Sequence, residues 1–379
     1  MTKKLKLLIT DIHHGNGGGH VTYIINLLRQ LRDTVDITLA VPPSGRLYRY
    51  ASQETGVRVL PGLYTSRLPV LVREVRQLHR FLASEQFDVI HVNGSADHRH
   101  AMLARIGQSS VPAIVWTKHN LHRASSVGHT LRARFGTNAV IAVSDYVARF
   151  LEPTPYHRCP IHVIRHGIDT RHFAPVSTAQ KQALQQRWFG RPLPHDALVF
   201  GSTGGTDYEK GWGDLVAAVA ALSPGHLARI HILVAGDPPS PDLRQRLGID
   251  RLGDRLVFPG LVDDIRDVLG ACDAGFVLSH KEALSYACRE SLSMGLPTLV
   301  SNAGGLPENL SDGLQGWIVP VGSVPAITNV LQAILTGQCD LAAQAAAARD
   351  HAVTTFSEAD FALTTLNVYN AVAKRLQSV

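Results

Sequence analysis

The sequence of 379 residues is poor in cysteine, and its four cysteines lie far apart. None belongs to a C-x-x-C pair, so the spacing indicates neither a zinc site nor a disulfide framework. The four positions are Cys159, Cys272, Cys288 and Cys339. This usage is typical of a reducing environment, and we predict a cytoplasmic location.

Long apolar segments are also missing. No stretch reaches the roughly 18 uninterrupted apolar residues that a membrane-spanning helix needs, so none is predicted. The start, MTKKLKLLITDIHHGNGGGH, is basic and then apolar. Its apolar run is only about six residues long and ends at Asp11, too short for a secretion signal. We therefore predict a first β-strand there.

Several common motifs for metal ions and nucleotides are absent. The sequence has no Asp-x-Asp pair and no G-x-x-x-x-G-K-[ST] loop. The dinucleotide fingerprint G-x-G-x-x-G fits only Gly15 and Gly17, because His20 stands where the third glycine is required. We therefore expect neither a bound metal nor a dinucleotide cofactor.

Length and charge indicate two domains with different partners. The chain is longer than one core usually supports. The net charge is +6, but residues 1–170 hold 21 Lys and Arg against 11 Asp and Glu, whereas residues 171–379 hold 16 against 20. The basic half either faces an anionic partner or carries a solvated basic surface.

Short apolar runs alternate with helical patterns in both halves. The first half contains LKLLIT, DITLAV, FDVIHVN, AIVWTKH and AVIAVS, and the second contains ALVFGSTGG, RIHILVAGD, DRLVFPG, AGFVLSH and GLPTLVSNAGG. Such alternation is typical of a parallel sheet covered by helices on both faces. We predict an α/β protein with two doubly wound, Rossmann-like domains facing a cleft, separated by the polar, proline-bearing residues 167–197.

Glycines follow three of these predicted strands and precede helices. The first set is Gly17, Gly18 and Gly19, the second is GSTGGTDYEKGW at residues 201–212, and the third is SNAGGLPENL at residues 301–310. Glycine permits close approach of the backbone to a phosphate at a helix N-terminus. The first set is equally compatible with a tight structural turn. In open parallel sheets ligands bind where such loops collect, beyond the carboxyl ends of the strands.

The segment HKEALSYACRESLSMG, residues 280–295, contains two glutamates eight positions apart. On one continuous helix they would lie about 12 Å apart along the axis, a poor geometry for an acid and base pair. We predict instead a loop that becomes a helix near Ser285, with Glu282 before it and Glu290 on its second turn. The helix N-terminus between them suits a phosphate group.

These motifs together resemble a GT-B glycosyltransferase of the retaining family 4 type. The second half is similar to the donor domain through VFGSTGG, EKGW, ILVAGD, DRLVFPGLVDD and the long segment from ACDAGFVLSHKEALSYACRESLSMG to GLQGWIVPVG. The first half contributes GGGHVTYIINLLRQL, FDVIHVNG, TKHN, AVSDYVARFL and VIRHGIDTRHFAP. The resemblance covers nearly the whole chain.

The resemblance implies a role for each residue of the E-x7-E segment. Glu290 would hydrogen-bond the ribose of the nucleotide. Glu282 would hold the donor sugar and its diphosphate together with the backbone N–H groups of three residues, which are Ala283, Leu284 and Ser285. The two glutamates would therefore bind a nucleotide sugar at both ends.

Other residues take roles from the same resemblance. Lys210 would stabilise the diphosphate leaving group, and Gly204 and Gly205 would line the donor site. Gly18 and Gly19 would approach the diphosphate from the opposite domain. His119 in WTKHN matches the histidine that the family places near the reacting sugar carbon. Without the resemblance, a histidine after an apolar strand is as compatible with a structural role as with a functional one.

The sequence departs from the family pattern at three places. The arginine that usually precedes the lysine by a few residues is absent, and those positions are Gly205 and Thr206. The usual NGID reads HGID from His166, and the usual Pro-Ser before the first glutamate is Ser279-His280. The first departure leaves two alternatives, namely that the leaving-group site lacks one cation or that another side chain supplies it.

Three histidines lie in the loop after the predicted first strand, at positions 13, 14 and 20. They could face an acceptor. A metal cluster is not expected, because no partner carboxylate is spaced with them in the sequence. The chemistry implied by the resemblance also requires no metal, since fixed cations and N–H groups can stabilise a diphosphate leaving group.

The basic half suggests the nature of the acceptor. Residues 65–86 form a basic amphipathic segment suited to an anionic lipid surface, and Arg123, Arg132 and Arg134 add positive charge. An anionic, lipid-linked or lipopolysaccharide acceptor fits both features, with the protein peripheral on the inner face of the cytoplasmic membrane. Nucleic acid is the competing partner for positive charge, but no recognisable binding module is present, and we expect none.

We predict an acceptor-binding domain over residues 1–168, a donor-binding domain over residues 169–358, and a last helix at about 359–379 that packs back on the first domain. The expected activity is retaining transfer of a hexosyl or N-acetylhexosaminyl group from a nucleoside diphosphate sugar, with UDP favoured, to a glycan of lipopolysaccharide or surface polysaccharide. Two alternatives stay open. One is a nucleotide-sugar epimerase or hydrolase on the same fold, and the other is a non-catalytic protein that binds nucleotide sugars.

Overall fold

The structure, a computed structural model, describes residues 4–15, 18–53 and 56–377 and forms two compact units. The first unit comprises the chain up to Gly167 together with the C-terminal segment from Glu358. The second unit comprises Ile168–Ser357. Gly17 lies outside the described residues, whereas all the other residues assigned to the candidate site lie within them.

Strands and helices alternate through both units, as the sequence patterns predict. The strands are β1 Lys6–Thr10, β2 Asp36–Val41, β3 Val57–Pro61, β4 Val89–Val92, β5 Ala113–Lys118, β6 Ala139–Ala142, β7 Ile161–Val163, β8 Leu198–Ser202, β9 Ile230–Val234, β10 Leu256–Val257, β11 Ala274–Val277, β12 Thr298–Ser301 and β13 Gly316–Val319.

The α-helices follow the same chain order. They are α1 Gly19–Leu31, α2 Arg46–Ala51, α3 Leu68–Glu85, α4 Ser95–Ala104, α5 Val127–Phe135, α6 Asp145–Leu151, α7 Thr178–Phe189, α8 Trp212–Ala220, α9 Pro224–Arg229, α10 Pro241–Leu247, α11 Arg266–Leu269, α12 Tyr286–Ser293, α13 Val324–Leu335, α14 Leu341–Thr355 and α15 Glu358–Gln377. Short 3-10 segments span Pro155–Arg158, Tyr208–Lys210, Ile249–Arg255 and Leu306–Asn309.

The first unit contains a seven-stranded parallel sheet in the order β3-β2-β1-β4-β5-β6-β7. Its central strands are apolar on both faces, because helices cover both sides of a parallel sheet. In β1, residues 7–10 are all buried, and β4 and β5 are buried along their whole length. The doubly wound architecture predicted for this half is confirmed.

The second unit contains a six-stranded parallel sheet in the order β10-β9-β8-β11-β12-β13. Successive residues of β8 face opposite sides. Phe200 packs with Trp212 and Ile327, whereas Val199 packs with Leu233 and other residues of the opposite face. Since β8, β11 and β12 are neighbours, the loops that follow them lie side by side. Of the three glycine-bearing loops in the prediction, those after β8 and β12 therefore belong to this sheet, whereas the one after β1 belongs to the sheet of the first unit.

Three strands were not predicted from the sequence, namely β3, β7 and β13. Each lies at an edge of its sheet. An edge strand has only one neighbouring strand and is less completely covered, so it needs fewer apolar residues. The alternating burial of β7 and the partial exposure of β3 agree with this explanation. It does not account for β13, which is largely buried.

The prediction that residues 167–197 separate the domains is wrong for most of that segment. Residues from Ile168 onward belong to the second unit, and α7 occupies the middle of the segment. Trp188 donates its indole N–H to the carbonyl of Asp267 at 2.9 Å, and Lys181 forms an ion pair with Asp273. The helix therefore packs on its own sheet, and its polar sequence reflects an exposed outer face.

The last helix, α15, belongs to the first unit and packs against β4, β5 and α1. The hydroxyl of Tyr369 lies 2.7 Å from Nδ1 of the buried His91, whose Nε2 lies 2.7 Å from the Thr117 hydroxyl. The ring of Phe361 meets the ring of Tyr23 edge to face at 5.0 Å between centroids.

In the described residues, no helix is long and apolar enough to cross a membrane.

Candidate functional site

Helix α12 begins where the sequence pattern predicts. Ser285 caps the helix, and its hydroxyl accepts the N–H of Cys288 at 3.3 Å. Glu282 precedes the helix, and Glu290 lies on its second turn. The predicted loop-to-helix transition is therefore confirmed. Ser285 has φ 92°, a conformation that a non-glycine residue adopts only at an energetic cost.

Glu282 and Lys210 form an ion pair in the second unit. Nζ of Lys210 lies 3.3 Å from Oε2 of Glu282, and the hydroxyl of Ser279 lies 3.4 Å from the same oxygen. The lysine side chain is about one-third exposed, at 34%, so it is accessible to a ligand. One cation and one carboxylate therefore lie beside the loop that precedes α12. Both groups suit a ligand that carries phosphate and hydroxyl groups.

Hydrogen bonds connect the three loops that carry these residues. The N–H of His280 donates to the carbonyl of Glu209 at 2.8 Å, and Nε2 of His280 lies 2.8 Å from the Asp214 carboxylate. The N–H of Gly305 donates to the carbonyl of Glu282 at 3.1 Å. The loops after β8, β11 and β12 therefore support one another, and Lys210 and Glu282 are held near each other by the backbone.

Glu290 is buried, with 7% of its surface exposed. Burial raises the pKa of its carboxyl to about 7, and the Thr203 hydroxyl, 3.4 Å away, opposes that rise. Desolvation penalises the charged form of a carboxyl group and so favours the protonated form in the free protein. A ligand hydroxyl that donates a hydrogen bond to the carboxylate would favour ionisation.

The glycines after β8 leave room beside α12. Gly205 has φ 93°, and a side chain there would meet no atom within 4 Å. The N–H of Gly204 donates to the hydroxyl of Ser202 at 3.3 Å. Ala283 and Leu284 are buried on the other side of Ser285, and the carbonyl of Leu284 accepts from Asn309 at 2.7 Å. The structure therefore brings together the predicted residues of the second unit around the start of α12.

The remaining predicted residues lie in the first unit. Gly18, with φ 117°, caps α1, and Gly19 is its first residue. Nε2 of His119 lies 2.8 Å from Oδ1 of Asn93. The amide nitrogen of Asn93 donates to the carbonyl of Thr10 at 2.9 Å, so Oδ1 must act as an acceptor and Nε2 of His119 carries the proton. Burial lowers the pKa of His119 well below its usual value, so the ring is neutral.

The premise that no carboxylate accompanies the histidines of the first loop is wrong. Asp11, which is fully buried at the end of β1, lies 3.3 Å from Nδ1 of His20 and 3.7 Å from Nδ1 of His13. His14, in contrast, is exposed and pairs with the hydroxyl of Ser44. Asp11 is only two positions from His13, but the proximity of His20 depends on the turn into α1.

Two polar residues near His119, Asn93 and Asp97, were not predicted from the sequence. Asn93 follows β4, and Asp97 accepts the backbone N–H of Asn93 and the hydroxyl of Thr10, both at 2.9 Å. Burial and the nearby Asp11 raise the pKa of Asp97 to about 7. The available signal was positional, because Asn93 ends one apolar run and His119 ends the next. Residues at the ends of adjacent parallel strands become neighbours.

Comparison with known proteins identifies two matching families. Residues 17–172 match the family described as Glycosyltransferase Family 4, and residues 196–337 match the one described as Glycosyl transferases group 1. Each match covers much of one of the two units. Together they span most of the chain.

Relatives at low identity extend along the chain. The D-inositol 3-phosphate glycosyltransferase of Saccharomonospora viridis is 27% identical over 318 residues, covering 77% of this chain and 72% of that protein. The lipopolysaccharide core biosynthesis mannosyltransferase LpsB of Rhizobium meliloti is 26% identical over 296 residues, covering 76% of this chain and 80% of that protein.

Among solved structures, that of Anabaena Alr3699/HepE in complex with UDP and glucose superposes with a TM-score of 0.78. The two sequences are 22% identical, and the match covers 97% of this chain and 100% of that chain. At this identity the similarity shows a shared fold.

Proposed function

The chain belongs to the GT-B glycosyltransferases, and from that membership we propose that it is a retaining enzyme that uses a nucleoside diphosphate sugar, with UDP favoured. The transferred group would be a hexosyl or N-acetylhexosaminyl group. The acceptor would be a glycan of lipopolysaccharide or surface polysaccharide. The observation that carries this proposal is the arrangement of Lys210, Glu282 and Glu290 around the start of α12.

Each of these groups matches one part of the proposed donor. The buried carboxyl of Glu290 would accept hydrogen bonds from the ribose hydroxyls. The N-terminal end of α12 carries a partial positive charge from the helix dipole, which favours the diphosphate. Glu282 would accept hydrogen bonds from hydroxyls of the donor sugar, and Lys210 would neutralise charge on the diphosphate.

The proposed reaction breaks the bond between the anomeric carbon and the diphosphate oxygen. The bonding electrons leave with the diphosphate, and the acceptor hydroxyl oxygen forms the new bond on the same face of the sugar. The acceptor proton passes to the departing phosphate. The Lys210 cation and the N–H groups at α12 would stabilise the developing negative charge, so this scheme requires no metal ion.

The loss of the usual arginine has a consequence for this scheme. Positions 205 and 206 are Gly and Thr, so Lys210 would carry a larger share of the charge stabilisation. The ion pair with Glu282 orients the lysine in the free protein. Binding of the diphosphate would draw the lysine toward the phosphate oxygens, while the hydroxyl of Ser279 continues to support Glu282.

The residues of the first unit would position the donor sugar and the acceptor. His119 has a neutral ring fixed by Asn93, which suits a hydrogen bond to a sugar hydroxyl better than proton abstraction. Gly18 and Gly19 would let the backbone approach the diphosphate. The names of two relatives support the substrate class. The Rhizobium meliloti protein is named for lipopolysaccharide core synthesis, and the Anabaena structure contains UDP and glucose.

We also propose a cytoplasmic protein that contacts an anionic, lipid-linked acceptor at a membrane surface. Support comes from α3, where Arg73, Arg76 and Arg80 are exposed and share one helical face. Leu68 at the start of the same helix is 71% exposed. Exposed arginines and an apolar side chain are the combination that interfacial helices use.

Thermal unfolding tests the donor site. UDP, GDP, ADP and a panel of their sugars are added separately to the wild-type protein, to Glu290→Ala and to Asp242→Ala, which removes an exposed carboxylate of the same unit. We expect one nucleotide to raise the midpoint in the wild type and in Asp242→Ala, because only the native state binds it. The shift should be lost in Glu290→Ala. No shift with any nucleotide would contradict the proposal.

The two alternatives are separated by product analysis with the nucleotide that binds. Without an acceptor, a hydrolase would release the free sugar from the nucleotide. An epimerase would invert one carbon centre of the sugar. A non-catalytic binding protein would show the thermal shift, and its donor would stay intact in the presence of lipopolysaccharide or polysaccharide acceptors. Transfer that depends on an acceptor supports the glycosyltransferase.

A further inference from the structure

Asp11, His13 and His20 bring three potential metal-binding side chains together at the end of β1. One ligand atom from each residue lies within 4.8 Å of the others. Asp11 is fully buried, and its Oδ2 accepts the backbone N–H of His13 at 3.3 Å. Its two oxygens are therefore directed toward different imidazoles, with Oδ1 near His20 and Oδ2 near His13.

Hydrogen bonding among these groups leaves one atom unsatisfied. Nδ1 of His13 is shielded from solvent and, within the described part of the chain, has no hydrogen-bond partner. Its distance of 3.7 Å from Asp11 is too long for a hydrogen bond. An unsatisfied buried nitrogen is costly unless something binds it.

The separations of the two imidazoles from Asp11 are close to those of ligands around a tetrahedral metal ion. Two ligands each about 2.0–2.1 Å from zinc, at the tetrahedral angle, lie about 3.3 Å apart. The observed separations of the histidine nitrogens from the Asp11 oxygens are 3.3 Å and 3.7 Å. These two separations involve different oxygens of Asp11, and one ligand atom from each of the three residues lies within 4.8 Å of the others.

We propose that Asp11, His13 and His20 bind a divalent transition metal ion of the zinc class. Two imidazoles and one carboxylate suit Zn²⁺, Co²⁺ or Ni²⁺, whereas Mg²⁺ and Ca²⁺ prefer oxygen ligands. Three protein ligands leave a fourth position for water or for an oxygen of a bound molecule.

The aromatic surroundings keep the His20 ring in place. The His20 ring packs on the His119 ring with 4.2 Å between centroids, and Tyr23 meets His119 edge to face at 4.7 Å. Restrained ligands bind metal ions more tightly, because less side-chain freedom is lost on binding. The proposed ion is therefore bound by His20, whose ring packs directly on the ring of His119.

This position gives the ion an expected effect on transfer, and that effect rests on the proposed function. Zinc on His20 would add positive charge beside the ring that positions the donor sugar. We expect added Zn²⁺ to lower the transfer rate in the wild type and to have less effect in His13→Ala. The transfer reaction itself would proceed in the presence of a chelator.

Binding of Co²⁺ to the full chain tests the site directly. The protein is stripped with a chelator, titrated with Co²⁺ and followed by the visible absorption that tetrahedral cobalt produces. We expect one ion per chain, displaced by Zn²⁺. His13→Ala, His20→Ala and Asp11→Asn should each weaken binding by more than about tenfold. His14→Ala is the matched control, because His14 lies in the same loop, is exposed and is not one of the three ligands.

Thermal unfolding of each variant establishes that it is folded, and Asp11→Asn preserves the shape of the buried side chain. No Co²⁺ absorption in the wild type, or equal affinity in the wild type, His13→Ala and His20→Ala, would overturn the proposal. The measurement needs no nucleotide. Failure of the metal site is therefore distinguishable from failure of the donor site, which is measured through Glu290 in the other unit.

Discussion

At the scale of single residues, the two glutamates of the E-x7-E segment differ in their surroundings. Glu282 is partly exposed, and its Oε2 lies 3.3 Å from Nζ of Lys210. Glu290 is buried, and desolvation raises its pKa to about 7. The same residue type therefore forms a partly exposed ion pair at one position and is a buried group that titrates near neutral pH at the other.

The raised pKa of Glu290 predicts that donor binding depends on pH. The carboxylate is the form that accepts hydrogen bonds from ribose, so affinity should rise as pH increases through about 7. For a pKa of 7, we expect the Kd for the bound nucleotide sugar to fall about tenfold between pH 6 and pH 8. Calorimetric titration with the nucleotide sugar measures this. The free nucleotide is avoided because its terminal phosphate also titrates in this range.

Glu290→Gln provides the comparison for that experiment. The amide keeps the shape of the side chain and one acceptor oxygen but does not titrate. Its Kd should be nearly independent of pH between 6 and 8. A wild-type protein whose affinity is equally flat would contradict the prediction that a carboxyl group titrating near pH 7 contacts the nucleotide sugar.

The same pKa affects stability with the opposite sign. In the unfolded chain the carboxyl group ionises near its usual value of 4.5, whereas in the folded protein it stays protonated up to about 7. Between these values the folded state binds more protons, so the contribution of Glu290 to the free energy of unfolding decreases as pH rises.

At the scale of secondary-structure elements, Gly211 sets the distance between the loop after β8 and the end of β11. It caps α8 with φ 72°. A Cβ atom there would lie 1.9 Å from the carbonyl oxygen of Leu278. A residue with a side chain would therefore both strain the backbone and push the Lys210 loop away from the loop of Glu282.

Gly211→Ala should lower the free energy of unfolding by about 3 kcal/mol, because a left-handed conformation and a collision with backbone are imposed together. For a unit of this size the thermal midpoint should fall by about 6–12 °C. Nucleotide binding should also weaken, because the Lys210–Glu282 pair is displaced. Calorimetric melting, with and without nucleotide, measures both effects.

Gly225→Ala is the matched control for this change. Gly225 lies in α9, and a Cβ atom there would meet nothing within 4 Å. Alanine in a helix interior is more favourable than glycine by up to about 1 kcal/mol, so the midpoint should stay the same or rise. Equal destabilisation by the two substitutions would contradict the role given to Gly211.

The sequence predicts central elements better than edge elements. The central strands carry continuous apolar runs, because both faces are covered, and they were identified from those runs. The edge strands β3 and β7 were not, because a strand with one neighbour needs less apolar surface. Edge position is not the whole reason, since the largely buried edge strand β13 was missed and the edge strand β10 was predicted. The residues around α12 were predicted because they lie on short contiguous segments. The pattern of each segment resembles a known family.

The polar groups of the first unit illustrate what the sequence does not disclose. Asn93 and His119 meet because β4 and β5 are adjacent, and Asp11 meets His20 because the chain turns back after β1. Neither contact has a local pattern. The first depends on the order of strands in the sheet, and the second depends on the position of α1 beside the end of β1. Such pairs become visible only when the fold is known.

At the scale of the whole molecule, the two units carry opposite charge. The first unit holds 23 Lys and Arg against 12 Asp and Glu, and the second holds 14 against 19. Attraction to an anionic surface should therefore act mainly on the first unit. Its range shortens from about 10 Å at 0.1 M salt to about 3 Å at 1 M.

We expect the protein to bind vesicles containing anionic phosphatidylglycerol and to be released as salt increases. Replacing Arg73, Arg76 and Arg80 by Glu should reduce binding, because these exposed cations share one face of α3. Vesicle sedimentation over a series of salt concentrations measures the effect. Neutral phosphatidylcholine vesicles should bind little.

A second triple variant keeps the change in net charge the same. It replaces three exposed arginines of the second unit by Glu, namely Arg187, Arg246 and Arg251. Vesicle binding should change less than in the α3 variant. Equal loss in both would indicate that total charge, and not the face of α3, determines binding.

The packing of α15 on the first sheet affects the order of events during synthesis. Tyr369 and Phe361 complete a core whose other members lie in β4, α1 and β5, but the ribosome makes all 190 residues of Ile168–Ser357 in between. At about 5–20 residues per second this interval lasts about 10–40 seconds. Throughout it, the nascent first unit exposes the apolar groove that α15 later covers, a target for chaperones that bind chains still attached to the ribosome.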